Sequence, residues 1–337
     1  MATGASLRRT FGATAVAVCL LVPGLLFAGA AQAEEHGAEA EAHEPAAHEA
    51  VAHGAPSVPD VVFHHVADSR EIELENPWTG DALIFKLPHL GVMIPDGVPL
   101  VGGKLFDLSL TKHTVFLWIA SGLLVIVLGL AARKRALVPS GFYSLVEVFV
   151  NFVREELAVK NIGRAHAHQY VGFLCTAFFF ILAVNLLGLI PYTGTATGNL
   201  NVTAALATTT LVMTLLAGMR AQGVVGYWLH IVPAGVPLWL YPVMIPVELL
   251  GIVAKPVALA LRLFANMVAG HIVVYFLLGL IFLLHSLLGD AGSYGVSVVS
   301  VLFATAIYML EIFVAFLQAY IFTMLSALFI GLASHAH

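Results

Sequence analysis

The sequence predicts an all-α polytopic membrane protein. We expect five transmembrane helices in the mature chain, two of them long and tilted, and a cytoplasmic amphipathic helix. Of the 337 residues, 60% are hydrophobic and only 10% are charged, whereas soluble proteins carry about 25% charged residues. The mean hydropathy is +0.93, and several apolar runs exceed the roughly 20 residues that a helix needs to span a bilayer. These observations exclude a soluble fold.

Composition also excludes several classes of function. The net charge of −5 reflects an acidic excess outside the apolar segments, and no basic run indicates a nucleic-acid partner. No G-x-x-x-x-G-K-[ST] loop is present, so no nucleotide site is recognisable. Cys19 and Cys175 are the two cysteines. They predict neither a structural disulfide nor a cysteine metal site. We therefore expect no cofactor, no metal and no catalytic site.

The first 33 residues are typical of a secretory signal peptide. Arg8 and Arg9 precede an apolar run, and Ala31-Gln32-Ala33 forms a small-residue cleavage site. A retained signal anchor is the alternative. Both interpretations place the following segment outside the cytoplasm.

Three further regions follow. Residues 34–60 form an Ala/Glu/His-rich tail. A histidine tract can bind metal, but the irregular spacing and acidic neighbours favour a disordered tail. Residues 61–104 are expected to be a small extracytoplasmic segment, and residues 105–337 the membrane domain.

The membrane domain begins with a predicted span at 105–131, followed by Arg133-Lys134-Arg135. Basic residues beside a span mark its cytoplasmic side, in agreement with the exported amino terminus. Residues 143–159 have apolar positions at helical spacing with charges between them, which predicts an amphipathic surface helix. The next two spans are predicted at 170–190 and 202–217.

The carboxyl-terminal third contains two apolar segments that are too long to cross upright. Residues 247–288 would form a helix of roughly 63 Å, against a hydrocarbon core of about 30 Å. No turn signal divides this segment, so we expect one tilted helix that ends near Gly289-Asp290. Residues 296–332 are similarly overlong. The preceding 227–246 contains four prolines and is not expected to be one straight helix.

Arg262 lies far from either end of the first long helix. An arginine near the bilayer centre costs about 3 kcal/mol on insertion scales, so such a residue is functional by default. Glu248 and Lys255 share its face at heptad spacing, and Asn266 joins one turn later. Alanines on the same face allow another helix to approach closely; they are Ala258, Ala265 and Ala269.

The last helix places Glu311 and Gln318 on one face at heptad spacing. If the two long helices are antiparallel neighbours, Gln318 falls near the depth of Arg262. Glu311 then lies near His271, which is about 180° from Arg262 on its own helix. A carboxylate and an imidazole in a low-dielectric interior can exchange protons.

The run Lys-Pro-Val-Ala-Leu-Ala-Leu-Arg-Leu-Phe-Ala-Asn-Met-Val-Ala-Gly-His at 255–271 resembles the signature of subunit a of F-type ATP synthases. Further matches are Pro-Val-Glu at 246–248, Asn-Val-Thr at 201–203, and Glu311 with the Leu-Gln-Ala-Tyr-Ile-Phe run at 317–322. The resemblance covers roughly residues 105–335 in the order and spacing of the family.

The resemblance implies the stator half of a rotary proton motor in a bacterial inner membrane. Its partners would be a rotor ring of c subunits, peripheral-stalk b subunits and the rest of the complex. Two offset half-channels would reach the rotor carboxylates, with the essential Arg262 preventing a leak between them. Asn185, His271 and Glu311 would line the external half-channel and Glu248 the cytoplasmic one, with Asn266 and Gln318 as further polar positions. Gly188 stands where many relatives carry an aspartate, so water or Glu311 would substitute.

Other interpretations remain open at this point. A proton- or sodium-coupled secondary transporter would use Arg262 to bind an anion, but the sequence lacks the internal symmetry that such folds often show. A membrane scaffold would have no reason for charges inside overlong helices. Asn185, Asn266 and Gln318 could each satisfy a helix–helix hydrogen bond instead of lining a channel. Arg262 could form a buried ion pair with Glu248 or Glu311.

Overall fold

A computed structural model describes residues 71–75, 82–86, 111–133, 141–190, 195–229 and 238–334. Five helices in these ranges are long and apolar enough to cross a membrane, which confirms the predicted fold class. The predicted signal peptide (1–33) and the Ala/Glu/His-rich tail (34–60) lie outside the described residues.

A two-stranded antiparallel sheet lies within the predicted extracytoplasmic segment. Strand β1 (Glu71–Glu75) pairs with β2 (Ala82–Lys86) in a register that sets Glu71 opposite Lys86. The alternation of Glu with Ile and Leu in β1 is a period of two, which favours a strand. This sheet was not predicted from the sequence.

The first span is α1 (Lys112–Arg133). After it, α2 (Phe142–Asn151) continues through a π-helical stretch (Phe152–Val159) and a last α-helical turn (Lys160–Ile162). We call residues 142–162 the amphipathic helix. Its buried side includes Val150, Val153 and Leu157. Its charged residues from Arg154 to Lys160 are exposed, whereas Glu147 is half-buried. The predicted amphipathic helix is therefore confirmed.

The centre of the fold is α3 (Ala167–Gly188), the most buried of the five spans. A short 3₁₀ turn (Ala196–Gly198) leads into α4 (Leu200–Gln222). The Asn199 side chain caps α4 by accepting a hydrogen bond of 2.9 Å from the backbone N–H of Asn201. The end of α3 and the start of α4 thus lie on either side of one short connecting segment.

The described residues within 227–246 belong to three elements and not to one straight helix, as the prolines of this range predict. Helix α5 (Val224–Leu229) overlaps the start of the range, and a 3₁₀ turn (Leu238–Leu240) precedes the last helix. That helix, α6, begins at Tyr241, six residues earlier than expected. Pro242 lies in its first turn, where a proline is tolerated, and Pro246 lies inside the helix.

Helix α6 (Tyr241–Ser334) is divided by Gly289, whose φ of 64° and ψ of −173° are not helical. Glycine adopts this conformation without the steric cost of a Cβ. We call 241–288 the first arm and 290–334 the second arm. Their spans, Tyr241–His285 and Tyr294–Ser334, have 45 and 41 residues. Each would exceed 60 Å, about twice the hydrocarbon thickness, as the overlong segments predict.

The two arms are antiparallel neighbours. The ammonium of Lys255 lies 5.7 Å from the centre of the Phe329 ring, and nearer the bend His271 lies beside Glu311. Counting along both arms from these contacts places Arg262 opposite residues 320–322, with Gln318 about one helical turn from that level. The arms pack on α3 and α4; for example, the Thr210 and Ser326 hydroxyls are 3.2 Å apart.

Candidate functional site

The segment between α3 and α4 contributes two threonine hydroxyls to a buried polar cluster. Thr197 donates a hydrogen bond of 2.9 Å to the side-chain oxygen of Asn185, and both residues are fully buried. The amide nitrogen of Asn185 is also buried, and it has no hydrogen-bond partner among the described residues. A buried donor without a partner is costly. The end of α3 thus keeps unused hydrogen-bonding capacity inside the protein.

The second hydroxyl connects this segment to the first arm. The Oγ1 atom of Thr195 lies 2.5 Å from Nε2 of the buried His271 and 3.4 Å from the carbonyl oxygen of Gly188. The imidazole, which is carried by the first arm, is therefore held against the segment that follows α3.

On its other side, the imidazole meets the second arm. Nδ1 of His271 lies 3.8 Å from Oε1 of Glu311. The second carboxylate oxygen of Glu311 is buried without a hydrogen-bond partner in the part of the chain that the structure describes. The two groups form an ion pair only if the imidazole is protonated. This pair can hold, donate or accept a proton.

Gly270 allows Glu311 to approach the first arm. A Cβ atom at residue 270 would lie 2.9 Å from Cδ and 3.2 Å from Cγ of Glu311, and closer still to Oε1. These distances leave no room for a side chain. The carboxyl group therefore packs against the bare Cα of the glycine.

Arg262 lies on a different face of the first arm. Its side chain is exposed, as are Ala265 and Asn266, whereas Leu263 and Met267 are buried against the rest of the chain. Within the described ranges no carboxylate lies at ion-pair distance from the guanidinium. The ion pair with Glu248 or Glu311 that we considered from the sequence is therefore not formed.

The structure separates the predicted site residues into groups. Asn185 bonds to Thr197, and His271 contacts both Thr195 and Glu311. We call these five residues the cluster, because the two sets are joined by the segment that carries both threonines. The other four residues lie outside that cluster: Glu248 is half-buried near the start of the first arm, Arg262 and Asn266 are exposed, and Gln318 is buried on the second arm.

Lys255, between Glu248 and Arg262, is exposed over the Phe329 ring. No group of three or more metal-binding side chains occurs among the described residues.

A model of the family described as ATP synthase A chain matches residues 114–331. The chain belongs to this family. The matched range includes all seven predicted site residues, together with Thr195, Thr197 and Gly270.

Proteins called ATP synthase subunit a are similar over most of the chain. That of Myxococcus xanthus is 49% identical over 281 residues, which cover 79% of this chain and 90% of the relative. That of Anaeromyxobacter sp. is 48% identical over 298 residues, covering 82% and 71%. That of Chlorobium phaeobacteroides is 46% identical over 288 residues, covering 83% and 77%. Membership of the ATP synthase A chain family counts against the secondary-transporter and scaffold alternatives.

Three residues of the site were not singled out from the sequence. Thr195 and Thr197 lie in the run Thr-Gly-Thr-Ala-Thr-Gly at 193–198, which resembles an ordinary turn. Three alternating threonines between two spans are a signal that could have identified them. Gly270 had no signal of its own, because the carboxyl group that it accommodates lies 41 residues further along the chain.

Proposed function

We propose that this chain is the proton-translocating stator subunit of an F-type ATP synthase, with two offset half-channels and the essential Arg262 between them. The observation that carries the proposal is the exposure of Arg262. Its guanidinium has no carboxylate partner in the described part of the chain, and it lies on a face of small residues. A charge that is costly inside a membrane is thus presented outward, toward a partner.

The partner that fits this face is a rotor ring whose subunits each carry a carboxyl group within the membrane. Arginine cannot be deprotonated in proteins, so it attracts an arriving carboxylate and does not relay protons. Lysine would serve less well, since its pKa shifts readily on burial. The guanidinium therefore acts as a barrier to direct proton flow between the two half-channels.

The external half-channel would be lined by Asn185, His271 and Glu311. Their cluster lies between α3 and both arms, and it contains buried polar atoms without partners among the described residues. Nine residues separate His271 from Arg262 along the helix, which corresponds to about 14 Å. A proton from this cluster would neutralise a rotor carboxylate.

The cytoplasmic half-channel would pass Glu248. This residue precedes Arg262 by 14 positions, or about 21 Å of helix. Glu248 and His271 are thus about 35 Å apart along the arm, and because the arm is tilted this distance covers only part of the membrane depth. Two proton-binding groups on opposite sides of the arginine support offset paths.

Orientation follows from the sequence and the number of spans. The signal peptide favours an exported amino terminus, and the basic residues after α1 favour the cytoplasmic side. With five crossings, the carboxyl terminus would lie in the cytoplasm. The complex would lie in a bacterial inner membrane, with c subunits, the peripheral-stalk b subunits and membrane lipid in contact with this chain. ATP chemistry would occur in another subunit.

Disulfide crosslinking tests which face meets the rotor. After replacement of Cys19 and Cys175, Ala265→Cys on the exposed face is expected to crosslink to a cysteine placed beside the membrane carboxyl group of the rotor subunit. The product is measured on non-reducing gels of the intact complex. The matched control is Ile126→Cys on α1, which is 60% exposed and should not crosslink. Equal yields at both positions, or none at residue 265, would contradict the proposed interface.

Exchanging the acid and the imidazole tests whether they cooperate. We expect His271→Glu or Glu311→His alone to lower proton-driven ATP synthesis at least about tenfold, since a positioned acid–base group contributes that much or more. The double variant restores one group of each kind at the two positions whose parent side chains lie 3.8 Å apart. It should be several-fold more active than either single variant in membrane vesicles. A double variant no better than the singles would show that the pair does not act together.

A further inference from the structure

The Thr195 hydroxyl contacts two groups, Nε2 of His271 at 2.5 Å and the carbonyl oxygen of Gly188 at 3.4 Å. We propose that Thr195 is a positioning residue that fixes the ring orientation and tautomer of His271, so that Nδ1 presents its lone pair to Glu311. The inference rests on the proposed function, because it concerns how the external half-channel holds a proton.

We assign to His271 the tautomer that results when the Thr195 hydroxyl donates to Gly188 at 3.4 Å. A hydroxyl group has one hydrogen to donate, and a carbonyl oxygen can only accept. With that hydrogen directed to Gly188, Thr195 accepts the N–H of His271 at Nε2. A neutral imidazole has a single N–H group, so its Nδ1 carries the lone pair.

This tautomer sets up a proton exchange with Glu311. Nδ1 lies 3.8 Å from Oε1, a gap that a small side-chain rotation or one water molecule closes. A proton on the carboxyl group moves to Nδ1 and leaves a carboxylate beside an imidazolium; the reverse transfer restores both neutral groups. The Nε2–H donates to Thr195 in both states, so the anchoring bond does not rearrange during the exchange.

The fold holds Thr195 at this position. Its carbonyl oxygen accepts a hydrogen bond of 2.9 Å from the backbone N–H of Gly198, which closes the 3₁₀ turn. The Thr195 methyl group lies 3.1 Å from the place that a Cβ at Gly188 would occupy. The hydroxyl group thus contacts the imidazole while the methyl group packs on α3, and the two functions can be separated by substitution.

Two substitutions at Thr195 separate the hydroxyl from the methyl group. Thr195→Val keeps the methyl shape without the hydroxyl, and Thr195→Ser keeps the hydroxyl without the methyl. The readout is acid–base-driven ATP synthesis by the whole complex in proteoliposomes. We expect the valine variant to be about tenfold slower and the serine variant to remain within about twofold of the parent. Thr210→Val is the control, since it removes a buried hydroxyl between α4 and the second arm and should leave the rate unchanged.

A double-mutant comparison tests whether Thr195 acts through the imidazole. In a His271→Gln background, Thr195→Val should cause no further loss. A valine variant faster than serine would assign Thr195 a packing role and overturn the inference, as would a full valine effect in the His271→Gln background. If the valine variant fails to assemble, Thr195→Ala is compared with serine in the same way.

A different variant tests the proposed function independently of the role of Thr195. An active Arg262→Ala enzyme would remove the motor assignment itself. An inactive Arg262→Ala enzyme beside a fully active Thr195→Val enzyme would overturn only the positioning role.

Discussion

Replacing Arg262 with alanine is expected to abolish proton-driven ATP synthesis while the complex still assembles. The side chain is exposed and forms no ion pair within the described residues, so its removal breaks no internal contact of that kind. Alanine is the best helix former, and loss of the charge removes an insertion cost of about 3 kcal/mol. Synthesis in membrane vesicles should fall below about 1% of the parent, since loss of a preorganised charge costs two to three orders of magnitude where it acts.

The matched control is Lys255→Ala, which removes a second exposed cation one heptad earlier on the same arm. Its contact with the Phe329 ring is worth about 1 kcal/mol or less at an exposed site, so synthesis should stay close to that of the parent. Assembly is followed in both variants by co-purification of the rotor proteolipid. Normal synthesis in the Arg262→Ala complex would contradict the central assignment, and equal losses in both variants would indicate a general charge effect.

The sequence predicted those features of the fold that depend on one segment at a time. Apolar length alone indicates five spans, because a bilayer imposes a minimum number of residues on each helix. The length of the two overlong segments follows from the absence of turn residues within them. The end of the first one at Gly289 follows from the presence of a turn residue there. The fixed rotation per residue of a helix shows which residues share a face with Arg262, and it places His271 on a different face.

The cluster could be predicted only in part, because its contacts join distant segments. The Thr195–His271 bond connects residues 76 positions apart, and no periodicity within either segment indicates it. The pairing of His271 with Glu311 was accessible, since two antiparallel helices joined by a bend have a fixed register. The alternating threonines of the short connection indicate polar positions but not the distant side chains that they contact. The residues missed are those whose function depends on tertiary packing.

Gly270→Ala is expected to disrupt the proposed external half-channel without disrupting the helix. The added methyl group would lie 2.9 Å from Cδ of Glu311, closer than non-bonded carbon atoms approach. Alanine improves helix propensity by about 1 kcal/mol over glycine, so the first arm should remain helical and the carboxyl group should move. Because Glu311 then leaves the reach of His271, we expect ATP synthesis to fall about tenfold or more with normal assembly.

Two further variants distinguish a displaced carboxyl group from a general effect of the extra methyl. Gly251→Ala lies on the same arm with no atom within 4 Å of the new Cβ, so it should be as active as the parent. Glu311→Asp combined with Gly270→Ala shortens the acid by one methylene and makes room for the methyl group. Because the carboxyl group can then lie near the imidazole again, the pair should recover part of the lost activity. Unchanged synthesis in Gly270→Ala would mean that the contact between Glu311 and the glycine is not required for proton entry.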